Sequence, residues 1–402
     1  MRPFTSTISL EEARARLAAG VRPVTRTERV YLADAAGRVA AADLASTLSV
    51  PPFARSAMDG YAVVAADTSG ATRETPVQLR IVERIFSGDV PTKTLTDGSC
   101  AEIATGAPLP SGSDAVVMVE DTARIDDQTV AVFTSVKVAQ NTARLGADIS
   151  PGDIVVRQGH PLNPSRIGAV AAIGHRDIEV YVRPRVAILS TGNEVVEPGK
   201  PLSGAQIYDV NRFTLGAVIG AHGGVAEPGP PVADTLDALD AALTASKDAD
   251  IVIFSGGSSV GDRDLLMDLV AKRGEMIFHG IAVKPGKPTA FAVVEGRPFF
   301  GMPGNPTSCL SNAYILLVPF LRATARLPIY APRIVRALLG KKIVSPAGRH
   351  QFYTVRLADG VAFPAFKGSG DITSLSQADG YIEIPADQST IDEGTVVDIT
   401  LF

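Results

Sequence analysis

The sequence predicts a multi-domain α/β and β protein, in which a parallel-sheet α/β domain is joined to two β domains and an N-terminal helical region. At 402 residues the chain exceeds one ordinary core, since domains run to roughly 100–150 residues each. Residues 184–324 alternate short buried apolar runs with helical periodicities, the pattern of a parallel sheet covered on both faces. Segments 77–138 and 328–402 instead hold short β-rich runs between Gly, Pro, Asp and Ser turns.

Taken in order, Ser9 followed by Glu12 forms a capping box before EEARARLAAG, so a first helix is expected from about Ser9 to Gly20, peripheral to the main cores. Strands are expected in VQLRIVERIF, DAVVMVED and TVAVFTSV. Helical structure resumes at NPSRIGAVAAIG, with Asn163 as N-cap and Pro164 at the first helical position. The α/β region then reads strand RVAILS, helix VNRFTLGAVIGAHGG, helix TLDALDAALTAS, strand DIVIFS, helix LLMDLVAKRG, short strands and helix PTSCLSNAYILLVPFL.

Composition narrows the partners. With 46% hydrophobic residues, 20% charged residues and a net charge of -5, the chain is of the soluble globular class, and nucleic acid is not an expected partner. No apolar run is long enough to cross a bilayer and the N-terminus lacks a signal-peptide core, so a cytoplasmic protein without membrane contact is expected. Cys100 and Cys309 fit neither a zinc-ligand nor a disulfide spacing and read as core residues. The five histidines lack paired metal-ligand spacing, so any metal is expected on oxygen ligands.

Three loops follow strand ends in the α/β region, where such sheets place their ligands: STGNEV, SGGSSVGDRD and GMPGNPTS. The first delivers Glu194 to the sheet's edge as an acid, base or metal ligand, or as a solvated turn carboxylate. In the second, Ser255, Gly256, Gly257 and Ser258 can turn backbone N–H groups towards an anion while Asp262 and Asp264 face a cation. It is not a P-loop, because no lysine follows its glycines. In the third, Pro303 and Gly304 lead to Asn305, which can cap a helix starting at Pro306 and leave donors free for an anion; a plain capped helix explains the same residues.

A fourth stretch, VKPGKPTAF, holds Lys284 and Lys287 between prolines, which favours a stiff clamp for phosphate or another oxyanion over a solvated lysine pair. Elsewhere, SVPPFARSAMDGYAV sets apolar residues around Asp59 and reads equally as a packed linker. EIATGAPLPSGSDAVVM holds Thr105 in what is otherwise a strand, a turn and a strand. LGADISPGD adds Asp148, GRHQFYTVRL carries Arg349, and KGSGDITSLSQADG is rich in hydroxyls. Carboxylates for Mg²⁺ (Asp59, Asp148, Glu194, Asp234, Asp262, Asp264) and cations for an oxyanion are what phosphoryl chemistry needs together.

These motifs, PPF..SAMDGYAV, TGAPLP.G.DAVVM.E, STGNE, SGG.SVGD.D, KPGKP and GMPGNP.S, resemble the molybdopterin molybdenumtransferases, the molybdenum-insertion enzymes of molybdenum cofactor biosynthesis. They stand in the family's order over most of residues 45–310. The resemblance implies a homodimer of four-domain subunits: a discontinuous domain I (1–45 with 142–182), an inserted β domain II (46–141), an α/β domain III (183–327) that is similar to the molybdopterin adenylyltransferase fold, and a C-terminal β-barrel domain IV (328–402). It also implies the reaction, in which molybdate enters adenylylated molybdopterin, the pyrophosphate bond is cleaved with a divalent cation, and AMP leaves. The adenylyltransferase and acceptor molybdoenzymes are the implied partners.

Carried over by motif, the resemblance gives Asp59 and Thr105, with Asp148 near them, to a face contributed across the dimer. It gives Glu194, Asp234, Asp264 and, as a companion, Asp262 to the metal and nucleotide. Lys284, Lys287, Arg349 and Ser369 or Ser374 bind molybdate or phosphate, and Pro303 and Pro306 shape the pocket floor. Ala54 and Arg55 stand where the family has Asp-Asn, Asn193 where it has Asp, Ala147 where it has Glu, and Gly280 or His279 where it has Lys. Loss of rim acids also suits a non-catalytic scaffold of the same family. The adenylyltransferase itself needs only the α/β module and leaves the other domains unexplained.

Overall fold

The computed structural model describes residues 7–256, 265–345 and 347–402, so Gly257, Ser258, Asp262 and Asp264 lie outside the described residues. The chain divides into two compact units. One takes the chain up to Glu28, Gly37–Val39 and Val180–Phe402; the other takes Arg29–Ala36 and Ala40–Glu179. Among the described residues, no helix is long and apolar enough to cross a membrane.

The first unit is built on a six-stranded sheet in the order Val225–Pro228, Arg185–Ser190, Ile251–Ser255, Arg297–Met302, Ala290–Val294, Gly274–His279. The first four strands are parallel, and Ala290–Val294 is antiparallel to both of its neighbours, so that Gly274–His279 again runs with the first four. The expected parallel sheet thus carries one antiparallel strand, and the reason is local. Val294 and Arg297 are joined by only Glu295 (φ 51°) and Gly296 (φ 77°), a two-residue turn of the primed type that can only make a hairpin.

Both faces of the sheet are covered. Helices Leu236–Ala245 and Leu265–Arg273 pack one face through Leu239, Leu243, Leu266, Leu269 and Val270. Asn211–Ala221 and the long C-terminal helix pack the other through Leu215, Ile219, Leu317 and Phe320. That long helix is interrupted: Pro306–Asn312 is α, Ala313–Leu317 is π, and Val318–Thr324 is α again.

The first helix begins at Leu10, with the Ser9 hydroxyl accepting from Glu12 N–H at 3.1 Å, and ends at Gly20. It is not peripheral, because Leu10, Ala13 and Leu17 are buried in the same cluster as Val186, Ile188 and Phe291. Polar residues dominate its sequence, yet three apolar residues at spacings of three and four suffice for one buried stripe.

The C-terminal strands His350–Ala358, Val361–Pro364, Ile334–Leu339, Val396–Leu401 and Gly380–Ile384 follow one another, and the last returns to pair with the first, closing a barrel around Val355, Ile382, Ile384 and Ile399. One more strand joins it from outside. Val283–Lys284, from the α/β domain, pairs in parallel with His350 and Gln351.

The second unit holds another six-stranded sheet, ordered Ala115–Met118, Gly60–Val63, Ser99–Ile103, Val77–Ile85, Thr129–Val132, Thr122–Arg124. Gly60–Val63 is a buried strand paired on both sides, so the tail of SVPPFARSAMDGYAV is sheet and not linker. Gly60 is required there, since a Cβ would stand 1.9 Å from the Val117 carbonyl oxygen. The helix Pro164–Ala172 starts as expected, with Asn163 Oδ1 accepting from Arg166 N–H at 2.9 Å. Both cysteines are free and buried, and burial pushes each thiol up to about 12, so neither is a ready nucleophile.

Since Leu10 closes the core over the sheet, Leu10→Ala is expected to destabilise the first unit by about 2–5 kcal/mol in urea unfolding. A loss of under about 1 kcal/mol would return the helix to the periphery.

Candidate functional site

A cavity of ≈ 1140 Å³ opens where the parallel strands end. Its walls come from every loop singled out in the α/β sequence and from two loops of the barrel. Glu194, Asp234, Ser255, Gly256, Lys284, Lys287, Pro303, Gly304, Asn305, Pro306, Arg349 and Ser369 all line it.

The acidic wall is formed by two loops tied together. Asn193 Oδ1 accepts from the Asp234 backbone N–H at 3.2 Å, which links the turn of Glu194 to that of Asp234. Asn193 stands where the resemblance expects an acid, and its amide oxygen serves as the acceptor here. Gly192 (φ 142°) permits the sharp exit from the strand, and a Cβ there would stand 2.8 Å from the Glu194 carboxylate.

The floor is set by the strand Ile251–Ser255 and by the chain that follows Met302. Asn211 Nδ2 donates to Ser255 Oγ at 2.7 Å and to the Gly304 carbonyl at 2.8 Å, stitching three loops with one buried amide. Gly256 (φ 103°) has no room for a side chain, because a Cβ would stand 2.3 Å from the Thr191 carbonyl oxygen. Asn305 occupies the N-cap position of the helix at Pro306, yet its side chain makes no cap bond. Its amide donates to Ser369 Oγ at 3.1 Å, and Thr307 N–H donates to the Ser369 carbonyl at 3.1 Å. The helix N-terminus is thus engaged by the barrel loop, which corrects the expectation of a capped end with free donors.

Ser374 does not line the cavity. It is buried, and its Oγ accepts from Lys367 N–H at 2.9 Å, bracing the loop that presents Ser369. Lys367 itself lines the cavity, as do Asp209 and Asn211, and sequence reasoning passed over all three. The lysine directly before Gly-Ser-Gly and the asparagine opening the helix after IYDV were the available signals.

The basic side holds Lys284, Lys287, Arg349 and Lys367. Pairing of Val283–Lys284 with His350 and Gln351 brings the KPGKP stretch beside Arg349. Gly280, which with His279 is where the resemblance expects a lysine, has φ 94° and donates its N–H to the Thr289 carbonyl at 2.9 Å, a backbone state that suits glycine.

No three His, Cys, Asp or Glu side chains converge as a metal cage among the described residues. Glu194 and Asp234 nevertheless share one wall, and their all-oxygen donor set fits Mg²⁺, which binds through one or two carboxylates plus substrate phosphates.

In the second unit, Asp59 and Thr105 do meet. Thr105 N–H donates to Asp59 Oδ1 at 2.7 Å, and Asp59, but not Thr105, lines a hollow of ≈ 180 Å³ together with Tyr61, Phe86, Glu102 and Val119. That backbone bond, followed by the Thr105 hydroxyl, holds the Asp59 carboxyl below its ordinary value. Asp148 lies in a separate turn, its N–H donating to the Val50 carbonyl at 2.9 Å, and it does not line this hollow.

A pocket at the strand ends of an α/β sheet, lined by carboxylates and by fixed cations, has the chemistry to suit small polyanionic ligands. Three family models match the chain: "MoeA N-terminal region (domain I and II)" over residues 8–174, "Probable molybdopterin binding domain" over 187–323, and "MoeA C-terminal region (domain IV)" over 336–402. The molybdopterin molybdenumtransferase of Haemophilus influenzae is 33% identical, with 98% of each chain covered. Molybdopterin molybdenumtransferase 2 of Mycobacterium tuberculosis is 35% identical over 94% of this chain and 95% of its own. Among solved structures, a molybdopterin biosynthesis moeA protein of Pyrococcus horikoshii superimposes with a TM-score of 0.84 at 37% identity, covering 98% of this chain and 99% of that one. The chain belongs to the molybdopterin molybdenumtransferase family, a family of transferases.

Because Thr105 lowers the Asp59 pKa, the stability this contributes is present above the ordinary carboxylate pKa and is lost as pH falls through the lowered value. Thr105→Ala keeps the backbone bond, so carboxyl NMR titration is expected to show Asp59 moving only part of the way back up. An unchanged titration would remove the hydroxyl from the account.

Proposed function

We propose that the protein inserts molybdate into adenylylated molybdopterin with release of AMP, as a step of molybdenum cofactor biosynthesis in the cytoplasm. The observation that supports this most is the sorting of charge in the cavity, with Lys284, Lys287, Arg349 and Lys367 against Glu194 and Asp234. Molybdate and the substrate's phosphates are oxyanions, and fixed cations bind them without reorganising when the charge shifts during bond cleavage. Lys284, Lys287 and Arg349 hold molybdate or phosphate oxygens in this reading. Ser255 and Gly256 face the nucleotide, and Pro303 and Pro306 shape the floor beneath it.

Glu194 and Asp234 would hold Mg²⁺, which when bound supplies neutralising charge at the pyrophosphate. The fixed cations set the direction in which AMP departs, since a phosphate leaving group is best stabilised where positive charge already stands. The same reading includes a homodimer, in which Asp59 and Thr105 act across the subunit boundary on the partner's cavity. The adenylyltransferase that supplies the substrate and the molybdoenzymes that accept the product would be transient partners.

Release of AMP from adenylylated molybdopterin on addition of molybdate and Mg²⁺ tests the activity. Asp59→Asn and Lys287→Ala are each expected to abolish turnover in folded homodimers. Mixing the two inactive dimers under subunit exchange should then restore about a quarter of the wild-type rate, from one intact site in the half of the dimers that are mixed. No AMP from the folded wild-type protein would sink the enzyme reading, and no recovery on mixing would sink the cross-subunit site alone.

A further inference from the structure

The two lysines of the KPGKP stretch sit on a loop whose ends are fixed in different ways. At one end, Val283 and Lys284 are paired to the barrel through His350 and Gln351. At the other, the loop closes on itself: the Lys287 carbonyl accepts from Ile281 N–H at 3.0 Å and from Thr289 N–H at 2.9 Å, and the Thr289 carbonyl accepts from Gly280 N–H at 2.9 Å. Midway between the lysines stands Gly286, whose carbonyl is held by two side chains. Asn312 Nδ2 donates to it at 2.8 Å and Thr289 Oγ1 at 2.9 Å, while Asn312 Nδ2 also donates to Thr289 Oγ1 at 2.6 Å.

Asn312 and Thr289 are both fully buried, and neither lines the cavity. The fit between amide and loop leaves no space, since a Cβ on Gly286 (φ 102°) would stand 2.3 Å from Asn312 Nδ2. Packing alone does not account for an amide at this position. Among the described residues, Asn312 Oδ1 is buried without a hydrogen-bond partner, a state that an apolar side chain of similar volume would avoid. The helix also departs from regular geometry right after Asn312, where the π turn Ala313–Leu317 begins. Such turns insert one residue and rotate the preceding face against the following one. Leu316, Leu317 and Phe320 beyond it then reach the apolar core, while Asn312 before it meets the lysine loop.

We infer that Asn312, with Thr289, is a positioning residue for the oxyanion clamp: it fixes the Gly286 carbonyl and through it the separation and direction of Lys284 and Lys287. This rests on the reading of those lysines as oxyanion ligands. A clamp that must meet a tetrahedral oxyanion loses affinity when its cations are displaced by fractions of an ångström, so a buried tie to the loop's midpoint is the element that sets its grip.

The test is molybdate binding to the purified full-length protein by titration calorimetry, in wild type, Asn312→Ala, Lys287→Ala and the double variant, with folding checked by circular dichroism. Asn312→Ala is expected to weaken molybdate binding by about tenfold or more. In the Lys287→Ala background, where residual binding rests on Lys284 and Arg349, the same change should add less than about threefold, because the two act through one loop. Thr289→Val, which keeps the side chain's shape, should repeat the pattern, and it serves in place of Asn312→Ala if that variant does not fold. Wild-type binding in the folded variants, or an equal loss in both backgrounds, would overturn the positioning role while leaving the lysines as ligands. Unchanged binding in Lys287→Ala would instead overturn the lysine reading itself, and this inference with it.

Discussion

A single short pairing, Val283 and Lys284 against His350 and Gln351, is the contact on which the candidate site depends. The α/β sheet can carry carboxylates and serines to its strand ends unaided. It cannot bring Arg349, Lys367 and Ser369 there, because these belong to the barrel strands and loops. By lending one of its own strands to the barrel's edge, the α/β domain places both lysines beside Arg349. The Asn305 and Thr307 contacts to Ser369 form a second tie between the same two domains. These two ties hold the barrel loops over the strand ends, so that the half-buried Lys284 and Lys287 and the exposed Arg349 and Lys367 line one cavity.

Glycines and buried amides make the remainder possible. Gly192, Gly256 and Gly286 each stand where a Cβ would strike a neighbour, and all three have φ between 102° and 142°. Asn193, Asn211 and Asn312 each join segments distant in sequence through their side-chain amides. Charged residues face the cavity, and neutral amides, Asn211 at its floor and Asn193 and Asn312 outside its lining, hold the loops that present them. That division is physically sensible, since an amide can be buried with its bonds made at far lower cost than a charge.

Much of the fold was legible in the sequence because its signals are local. The Ser9 and Asn163 caps, the apolar strands RVAILS and DIVIFS and the helices between them follow from periodicity and capping chemistry over a few residues. Elements that depend on distant partners were less legible. The Glu295–Gly296 turn decides a strand's direction, and the first helix joins a core whose other members lie far along the chain. The candidate site follows the same division: loops at strand ends could be named from position, whereas Asn305 turning to Ser369 depends on a barrel loop 64 residues away. Asp209, Asn211 and Lys367 carried no spacing signal, and Asn312 looked like any polar residue on a helix.

Diffraction locates most directly where an oxyanion binds. Crystals soaked in molybdate, with data collected at the molybdenum absorption edge, are expected to give one dominant anomalous peak among Lys284, Lys287 and Arg349. A dominant peak elsewhere, or none at molybdate concentrations that saturate binding in solution, would contradict the account.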